Sequence, residues 1–477
     1  MIYSYPFRWM ACVAIIILMP GRGLEISRCF AKPAPAPVMR YLDNGKLRVG
    51  VNLAMGGAIT SISRSGKKTN LINHCDLGRE IQMSDYSGPN PYIPPGKIIA
   101  PAWRGLGWNP IQCGDAFGFR SKITYFHQTA SRLVVRCIPM IWPLKNVPAH
   151  CTFQCTIRLH NNAIYVRCAT ILHRMDHTQY PGRPQECPAI YTVGKYWRLV
   201  SYTGNRPFTH RPLTFLDTRQ ALAREQAVFA GKLRGDPWIP FHATENWAAM
   251  LDSNDNGIGV WSPGTFDFSG GFFGAQTGHG GPASAQTGYM APNQSVILDH
   301  NIIYQYHYVL IVGNLKDIRD FVYRHAKRPR PPVWTFTRDR QGWVYHDAID
   351  TGWPVKGRLN ISLAGHHPEL VGPSAFWPAR QAPVLYMDAA FKTSRKSGRM
   401  FWRNTRQTGF AAERSIAFKI IGDGHYHHYA IRLSASTAYR GHIAQIMIAP
   451  VKAGEPGAWL RLRSIGFSPA ESRAGGK

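Results

Sequence analysis

The sequence has few acidic residues for its size. Its 477 residues include 56 Lys and Arg but only 27 Asp and Glu, which gives a net charge of +29. No single basic run carries this charge, so a nucleic-acid partner is not expected. A distributed positive field favours acidic partners such as an anionic polysaccharide. A generally basic set of exported proteins is the alternative explanation of the same charge.

Cysteine is absent after Cys187, and no Cys-x-x-Cys pair occurs anywhere. This excludes a zinc ribbon, and neither a metal nor another cofactor is predicted. A long Gly-rich loop is predicted over 270–289; it lacks Gly-Lys-Ser/Thr and follows no strand-to-helix unit, which argues against a phosphate-binding loop. Cys151 and Cys155 alternate with apolar residues, so they could be core residues or take part in one or two disulfides.

The N-terminal residues 1–31 have the pattern of a signal peptide. Arg8 precedes an apolar run over residues 10–19. This run is about half the roughly 20 residues that a spanning helix needs. We therefore expect a secreted or periplasmic protein with no transmembrane span after signal removal. Residues 32–39 are predicted to form a Pro/Ala linker.

Short strands separated by Gly- and Pro-rich turns dominate the sequence after residue 40. In residues 163–172, Ile164, Val166 and Cys168 alternate with polar residues, a period of two that indicates a strand. The same reasoning predicts hairpins at 47–62 and 247–262, a pair of central strands at 296–312, and helices only at 218–229 and 315–325. We predict an all-β fold with a large antiparallel sandwich over residues 40–327.

A Pro-rich joint at 328–333 separates this region from a second strand-rich region at 334–468. Its predicted strands are 384–387, 415–421 and 426–431, followed by a last strand pair, 442–448 with 459–465. Residues 469–477 are small and polar, and are expected to be a frayed tail. The second region is predicted to be a smaller β-sandwich.

Two glutamates are the catalytic candidates. Glu186 stands in a Gln-Glu-Cys-Pro segment, and Glu245 lies in a second acidic segment that also contains His242. Glycoside hydrolysis needs two carboxyl groups across the scissile bond, whereas elimination or epimerisation needs Glu with His or Tyr. His210 and His242 are candidates for contacting the substrate. Alternatively, Glu186 caps a turn and Glu245 bonds to backbone.

A Gly-bounded segment supplies further candidates for sugar binding. Arg79 and Gln82 offer hydrogen-bond donors and Tyr86 a flat amphipathic ring, a mixture suited to an array of sugar hydroxyls. The alternative is that Asp76 and Arg79 pair to close a loop.

An aromatic segment follows. Trp108 could stack on the apolar face of a pyranose while Asn109 and Asp115 bond to the edges of the sugar. Tryptophan is equally common in protein cores, so a packing role for Trp108 stays open.

Six stretches carry a resemblance to known proteins. They are Gly-Gly-Ala-Ile at 56–59, Asn-Leu-Ile-Asn at 70–73, Gly-Arg-Glu-Ile-Gln at 78–82, Trp-Asn-Pro at 108–110, residues 185–191 and residues 244–249. Together they resemble a group of exported bacterial β-proteins with a galactose-mutarotase-like supersandwich, over residues 41–328. Aldose epimerases share this fold, as do domains of polysaccharide lyases and glycosidases. With Gly-Asp-Gly at 422–424 followed by Tyr429, and residues 441–446 ending at Pro450, the chain from residue 334 looks like a jelly-roll module of the carbohydrate-binding type.

The resemblance implies a carbohydrate-active protein that acts on a polysaccharide or oligosaccharide, by hydrolysis or by elimination. The glycan could be acidic, in keeping with the net charge of +29. A non-catalytic glycan-binding or envelope protein is the alternative. The positions of Glu186 and Glu245 distinguish the catalytic from the non-catalytic role. One open cleft that contains both favours the enzyme, and buried, hydrogen-bonded glutamates on separate faces favour the binding protein.

Overall fold

Strands make up nearly all regular structure in the computed structural model, which describes residues 36–216, 238–274 and 276–469. This confirms the all-β prediction. The proposed signal peptide, the predicted helix 218–229 and residues 470–477 of the tail lie outside the described ranges. Within those ranges, no helix combines the length and the hydrophobicity that crossing a bilayer demands.

The first part of the chain contributes nineteen strands and one α-helix. The strands are β1 (Met39–Asp43), β2 (Leu47–Asn52), β3 (Ala58–Arg64), β4 (Ile81–Ser84), β5 (Pro110–Ile111), β6 (Lys122–Gln128), β7 (Arg132–Ile138), β8 (Met140–Ile141), β9 (Cys151–His160), β10 (Ala163–Leu172), β11 (Arg183–Val193), β12 (Arg198–Ser201), β13 (Thr214–Phe215), β14 (Ile239–His242), β15 (Trp247–Leu251), β16 (Asn256–Trp261), β17 (Asp267–Phe273), β18 (Thr287–Val296) and β19 (Ile303–Asn314). These counts refer to the described residues. The helix is α1 (Leu315–His325).

The remaining strands are β20 (Trp334–Thr335), β21 (Val344–His346), β22 (Ile349–Asp350), β23 (Leu359–Ser362), β24 (Glu369–Val371), β25 (Trp377–Pro378), β26 (Leu385–Lys392), β27 (Ser397–Asn404), β28 (Ser415–Lys419), β29 (Asp423–Ile431), β30 (His442–Ala449) and β31 (Trp459–Gly466). Short 3-10 helices lie at Leu53–Met55, Pro101–Leu106, Ala379–Gln381 and Leu433–Ala435.

Four antiparallel sheets form two sandwiches. The first sandwich pairs a ten-stranded sheet with a nine-stranded sheet. The ten-stranded sheet has the order β1-β2-β3-β4-β11-β18-β17-β14, with β5 beside β4 and β8 beside β5, and the nine-stranded sheet has the order β13-β12-β15-β16-β19-β10-β9-β7-β6. The second consists of two six-stranded sheets, β22-β23-β31-β26-β29 with β20, and β21-β24-β30-β27-β28 with β25. The large sandwich thus precedes the smaller one, as predicted.

Side-chain alternation explains why these segments are strands. In β10, Ile164, Val166 and Cys168 enter the core between the sheets while Tyr165 and Arg167 face outward. The predicted hairpins form as β2–β3 and β15–β16. The first turn needs Gly56, whose φ is +59° and whose added Cβ would lie 1.9 Å from the Gln112 carbonyl oxygen.

The helix α1 has the bounds that the sequence predicts. Asn314 caps its N-terminus by accepting a hydrogen bond from the Asp317 amide at 2.8 Å. Ile318, Phe321 and Val322 are buried on the outer face of the nine-stranded sheet. The amphipathic face of the helix therefore covers that sheet.

The two sandwiches share a packed interface. Phe266 and Ile297 of the first belong to the hydrophobic core of the second. The buried guanidinium of Arg340 binds Asp299 of the first sandwich at 2.6 Å and Asp350 of the second at 2.5 Å. The second sandwich is thereby held against the outer side of the ten-stranded sheet, where Ser374 also reaches β17.

Two strand predictions were wrong in part. Residues 296–312 do not form two strands, because β18 ends at Val296 and only β19 follows. Strands β30 and β31 form as predicted, but each belongs to a different sheet and they do not pair. Hydrophobic alternation predicts that a segment is a strand but not which strand it pairs with. In a sandwich, consecutive strands often belong to opposite sheets.

Candidate functional site

Glu186 lies on β11 and faces away from the core of the first sandwich. Its neighbour Cys187 points the opposite way, is fully buried, and contacts the Tyr304 hydroxyl at 3.0 Å. The Glu186 carboxylate accepts hydrogen bonds from the hydroxyls of Tyr86, at 2.9 Å, and Tyr289. Only 6% of the surface of Glu186 is exposed, so Glu186 is nearly buried on the outer face of the ten-stranded sheet.

Burial raises the pKa of Glu186 above its usual value of 4.5. Hydrogen bonds from Tyr289, Ser84 and Tyr86 act in the opposite direction, because they favour the ionised carboxylate. The raised pKa remains the net result. Glu186 is therefore a better proton donor near neutral pH than an ordinary glutamate.

A row of polar side chains crosses the sheet at the level of Glu186. Glu186 on β11 pairs with Asn293 on β18, Asn293 pairs with Asp267 on β17, and Asp267 pairs with His242 on β14. Directly paired residues of antiparallel strands point to the same face. We call Glu186, Asn293, Asp267 and His242 the polar row.

Asp267 is the second carboxylate of the polar row. It accepts a hydrogen bond from Ser374 of the second sandwich, and its Oδ1 lies 3.2 Å from His242 Nδ1. Burial alone would raise its pKa, but His242, the charge of Arg403 and the Ser374 hydroxyl together hold the pKa of Asp267 below 3.8. The pKa of Asp267 is thus lowered where that of Glu186 is raised, and 23% of the Asp267 side chain is exposed.

The two carboxylates are separated by one intervening strand. Because neighbouring strands lie about 4.8 Å apart, the backbones at Glu186 and Asp267 are about 10 Å apart. The carboxyl groups of inverting glycosidases are separated by about 6.5–9.5 Å. The backbone separation across the polar row is thus close to the carboxyl separation of inverting glycosidases.

His242 stands at the end of the row, at the border with the second sandwich. Its ring stacks on Phe266 with centroids 5.5 Å apart and lies 6.5 Å from the ring of Phe376. Its Nε2 is buried and has no hydrogen-bond partner among the described residues. The sequence predicts His242 as a substrate contact; the structure shows it holding Asp267.

The fold does not place Glu245 near Glu186. Its carboxylate accepts hydrogen bonds from the Phe208 amide at 2.8 Å, the Tyr323 hydroxyl at 2.6 Å and Trp247 Nε1 at 3.0 Å. Trp247 packs under α1 on the outer face of the nine-stranded sheet. The two glutamates thus lie on opposite sides of the first sandwich, so the predicted Glu186–Glu245 pair cannot flank one bond.

His210 belongs with Glu245 and not with the polar row. Its amide donates to the Tyr323 hydroxyl at 3.3 Å, and its ring lies 4.6 Å from the ring of Tyr323. His210 also lines an open depression of about 790 Å³ beside α1. The structure therefore does not bring His210 to the polar row.

Among the predicted binding residues, Tyr86 contacts Glu186 directly and Asn109 lies next to it. Asn109 Nδ2 donates to the Asp85 carbonyl at 2.8 Å and contacts Ser84 Oγ at 3.5 Å. Its Oδ1 is buried without a partner in the described structure. Tyr86 and Asn109 are 4% and 0% exposed, so they support the Glu186 end of the polar row from within the protein.

The other predicted binding residues hold the fold. Gln82 is buried and donates a hydrogen bond to the Leu77 carbonyl. The Asp115 carboxylate accepts hydrogen bonds from three backbone amides. Arg79 donates to the Ala285 carbonyl at 2.7 Å and pairs with Asp76. Trp108 is 2% exposed in the core. A buried ring cannot stack on a sugar, so the prediction for Trp108 was wrong.

Asp85 is a buried carboxylate beside the row. It lies on the core side of the sheet, where its Oδ2 accepts a hydrogen bond from Thr170 at 2.5 Å and its Oδ1 has no partner in the described structure. Burial and, to a smaller extent, the charge of Glu186 raise the pKa of Asp85 from 3.8 to about 7, against the Thr170 hydroxyl, which lowers it. No sequence pattern singles out Asp85.

Asp267, Asn293 and Tyr289 were also missed. The Gly-rich composition predicts a long loop over 270–289, and the structure places only its two ends in strands, 270–273 in β17 and 287–289 in β18. Alternation from Phe266 to Phe268 around Asp267 was the available signal. In the described ranges, no cluster of three or more His, Cys, Asp or Glu side chains has metal-binding geometry.

A scan against protein-family models finds no match, and a search of curated proteins finds none either. Solved structures do match at low similarity. A galactose mutarotase-like protein from Lactobacillus casei is 9% identical, with a TM-score of 0.35, over 57% of this chain and 99% of that one. A galactose mutarotase related enzyme from Lactobacillus acidophilus is 9% identical, with a TM-score of 0.36, over 58% and 97%.

An alpha-galactosidase from Lactobacillus brevis is 9% identical, with a TM-score of 0.34, over 62% of this chain and 44% of that one. Two of these three structures carry the mutarotase description that the sequence resembles. TM-scores of this size carry no argument about activity. The function is therefore argued from the polar row itself.

Proposed function

We propose that this protein is a carbohydrate-active hydrolase that cleaves a glycosidic bond at the polar row, with Glu186 as the proton donor and Asp267 as the base. One observation carries the proposal. Two carboxyl groups on the same face of one sheet, separated by one strand, have pKa values displaced in opposite directions. Such a divergence assigns the acid and the base.

The proposed reaction uses each group of the row. Glu186 gives its proton to the glycosidic oxygen as the bond from that oxygen to the anomeric carbon breaks. Asp267 takes a proton from a water whose oxygen attacks the anomeric carbon from the other side. His242 holds Asp267 in place, and Asn293, between the two carboxylates, is positioned to bond a sugar hydroxyl. Two sugars leave with the elements of water added.

The predicted secreted or periplasmic location remains part of the proposal. It rests on the pattern of residues 1–31 in the sequence. Cys75 is disulfide-bonded, a bond that persists mainly in oxidising compartments. Cell fractionation of the producing organism tests this directly, because a cytosolic protein would contradict it.

A non-catalytic glycan-binding role is the second candidate, and a specific observation favours it. Glu186 is 6% exposed and its carboxylate already binds two tyrosine hydroxyls. The predicted pair of glutamates also lies buried on separate faces. Such a protein would bind a glycan without producing new reducing ends.

The deciding experiment measures reducing ends released from a panel of neutral and uronic-acid polysaccharides. Wild type is expected to release them, and Glu186→Gln or Asp267→Asn should lower kcat by about a hundredfold or more. Glu245→Gln is the matched control, expected to keep kcat per folded molecule. Release of unsaturated uronate would instead indicate elimination. Binding without any product would establish the non-catalytic role.

A further inference from the structure

A basic face lies on the second sandwich, well separated in sequence from the polar row. It occupies the outward side of the sheet that contains β23, β31, β26 and β29. The residues that form this basic face are Arg358, Tyr426, His428, Trp459, Arg461 and Arg463. None of them belongs to the proposed hydrolytic site.

The register places these residues side by side. Arg461 on β31 pairs with Asn360 on β23 and with Ala390 on β26, and Ala390 pairs with Tyr426 on β29. Leu460 and Leu462 alternate with the basic residues and are fully buried in the core. The face is therefore a fixed outer surface of a sheet and not a loop.

Two guanidinium groups lie over aromatic rings. The Arg463 guanidinium lies 3.6 Å from the centroid of Tyr426, and the Arg461 guanidinium lies 4.2 Å from the centroid of Trp459. A guanidinium stacked on a ring keeps its N–H edges available for hydrogen bonds to a ligand. Arg358 Nε donates to Asn360 Oδ1 at 3.0 Å, which anchors a third guanidinium beside them.

Negative charge on the face is small. The carboxylate of Asp388 lies 3.7 Å from Arg463 and 3.8 Å from His428, while the side chains of Arg463 and His428 are 35% and 61% exposed. Burial raises the pKa of Tyr426, and the charges of Arg463, Arg358 and Arg461 oppose that rise. Three guanidinium groups therefore surround one phenol.

We propose that the basic face binds an acidic polysaccharide whose sugars carry carboxylates. Preorganised guanidinium forks match carboxylates in bidentate geometry. The face is extended along β31, which suits a polymer more than a single sugar. Single-stranded nucleic acid needs open aromatic rings for base stacking, whereas Trp459 and Tyr426 each have a guanidinium over the ring.

This inference stands apart from the proposed hydrolysis, and the experiment separates the two. The full chain carrying Glu186→Gln is used, so that binding is measured without cleavage. Its affinity for polygalacturonate, for fully methyl-esterified polygalacturonate and for poly(dT) is measured by biolayer interferometry at two salt concentrations. Polygalacturonate should bind best, and more weakly at high salt.

Replacing the two stacked arginines provides the test of location. Arg461→Gln with Arg463→Gln should weaken polygalacturonate binding about tenfold or more, and Arg461→Lys with Arg463→Lys should also weaken it because lysine lacks the fork. Arg399→Gln with Arg440→Gln removes the same charge elsewhere in the second sandwich and should change affinity less than about twofold.

Three results would overturn the inference. Equal loss in the Arg399 and Arg440 control would show that net charge alone binds the polymer. Equal affinity for the methyl ester would show that the basic face does not recognise the carboxylates of the polymer. Poly(dT) binding that equals polygalacturonate binding and needs Arg461 and Arg463 would make the face a nucleic-acid site. Thermal unfolding of each variant confirms that the second sandwich is folded.

Discussion

The two tyrosine hydroxyls on Glu186 tune its protonation. Both favour the ionised carboxylate and so lower its pKa against the effect of burial. Glu186 acts as an acid only while protonated, so activity is lost as the pH rises through its pKa. Tyr86→Phe or Tyr289→Phe removes one hydrogen bond, raises the pKa and should extend activity to higher pH.

The measurement is kcat/KM against pH for wild type and each variant. A shift of the upper limb on the order of one pH unit is expected, since one hydrogen bond to a charged group is worth about 1.5–3 kcal/mol. A shift to lower pH would contradict the assignment of Glu186 as the acid. The lower limb, which follows Asp267, should stay in place.

Asp85 makes the stability of the protein depend on pH. Its pKa is about 7 in the folded state against 3.8 ordinarily, so folding favours the protonated form. Stability is therefore full below about pH 4 and falls as the pH rises toward 7. Asp85→Asn should be more stable than wild type at pH 8 by a few kcal/mol, at about 1.4 kcal/mol per pKa unit.

Urea unfolding at pH 4 and pH 8 measures this effect. At pH 4 the difference between Asp85→Asn and wild type should be much smaller than at pH 8. The exposed Glu413→Gln serves as a control and should show little difference at either pH. A stabilisation that is the same at both pH values would mean that Asp85 ionisation is not its cause.

At the scale of the elements, Glu245 ties three parts of the first sandwich together. Its carboxylate joins the Phe208 loop, Tyr323 of α1 and Trp247 of β15. Glu245→Ala leaves these buried donors unpaired and should lower the free energy of unfolding by about 3–5 kcal/mol. Glu245→Gln keeps an acceptor and should cost less.

Equilibrium unfolding by urea, together with kcat normalised to folded protein, measures both consequences. Normalised kcat should be unchanged in Glu245→Gln. A hundredfold loss of normalised kcat in Glu245→Gln with unchanged stability would indicate that Glu245 is catalytic and would contradict its structural role.

Sequence patterns predict elements well where local chemistry decides them. Alternation predicts β10 to the residue, and the apolar face and acidic first turn predict α1. Only some residues of the candidate site could be predicted from the sequence. Two predicted site residues, Glu186 and Tyr86, are in hydrogen-bond contact. Glu245 lies on the opposite side because alternation does not state which sheet a strand joins. Asp267 was missed because glycines concealed β17 within an apparent loop.

At the scale of the whole molecule, buried charges clamp the two sandwiches together. Arg340 binds Asp299 and Asp350 at once, and Gln179 bonds both aspartates as well. Arg340→Met leaves two carboxylates without their cation and should cost about 3–5 kcal/mol. Loss of the clamp should also let the sandwiches unfold separately.

Differential scanning calorimetry distinguishes these outcomes. Arg340→Met is expected to broaden or split the unfolding transition, and kcat should fall because Ser374 and Arg403 approach Asp267 from the second sandwich. The exposed Arg399→Gln is the control and should leave the transition unchanged. A single sharp transition with full activity in Arg340→Met would show that the interface does not depend on this clamp.

The central claim is that Glu186 and Asp267 cleave a glycosidic bond across the polar row. The most direct test follows, by proton NMR, the anomer first released from the glycan that wild type cleaves fastest. The spacing of one intervening strand predicts inversion at the anomeric carbon and loss of product in Asp267→Asn. Retention of configuration, or undiminished product from Asp267→Asn, would contradict the claim.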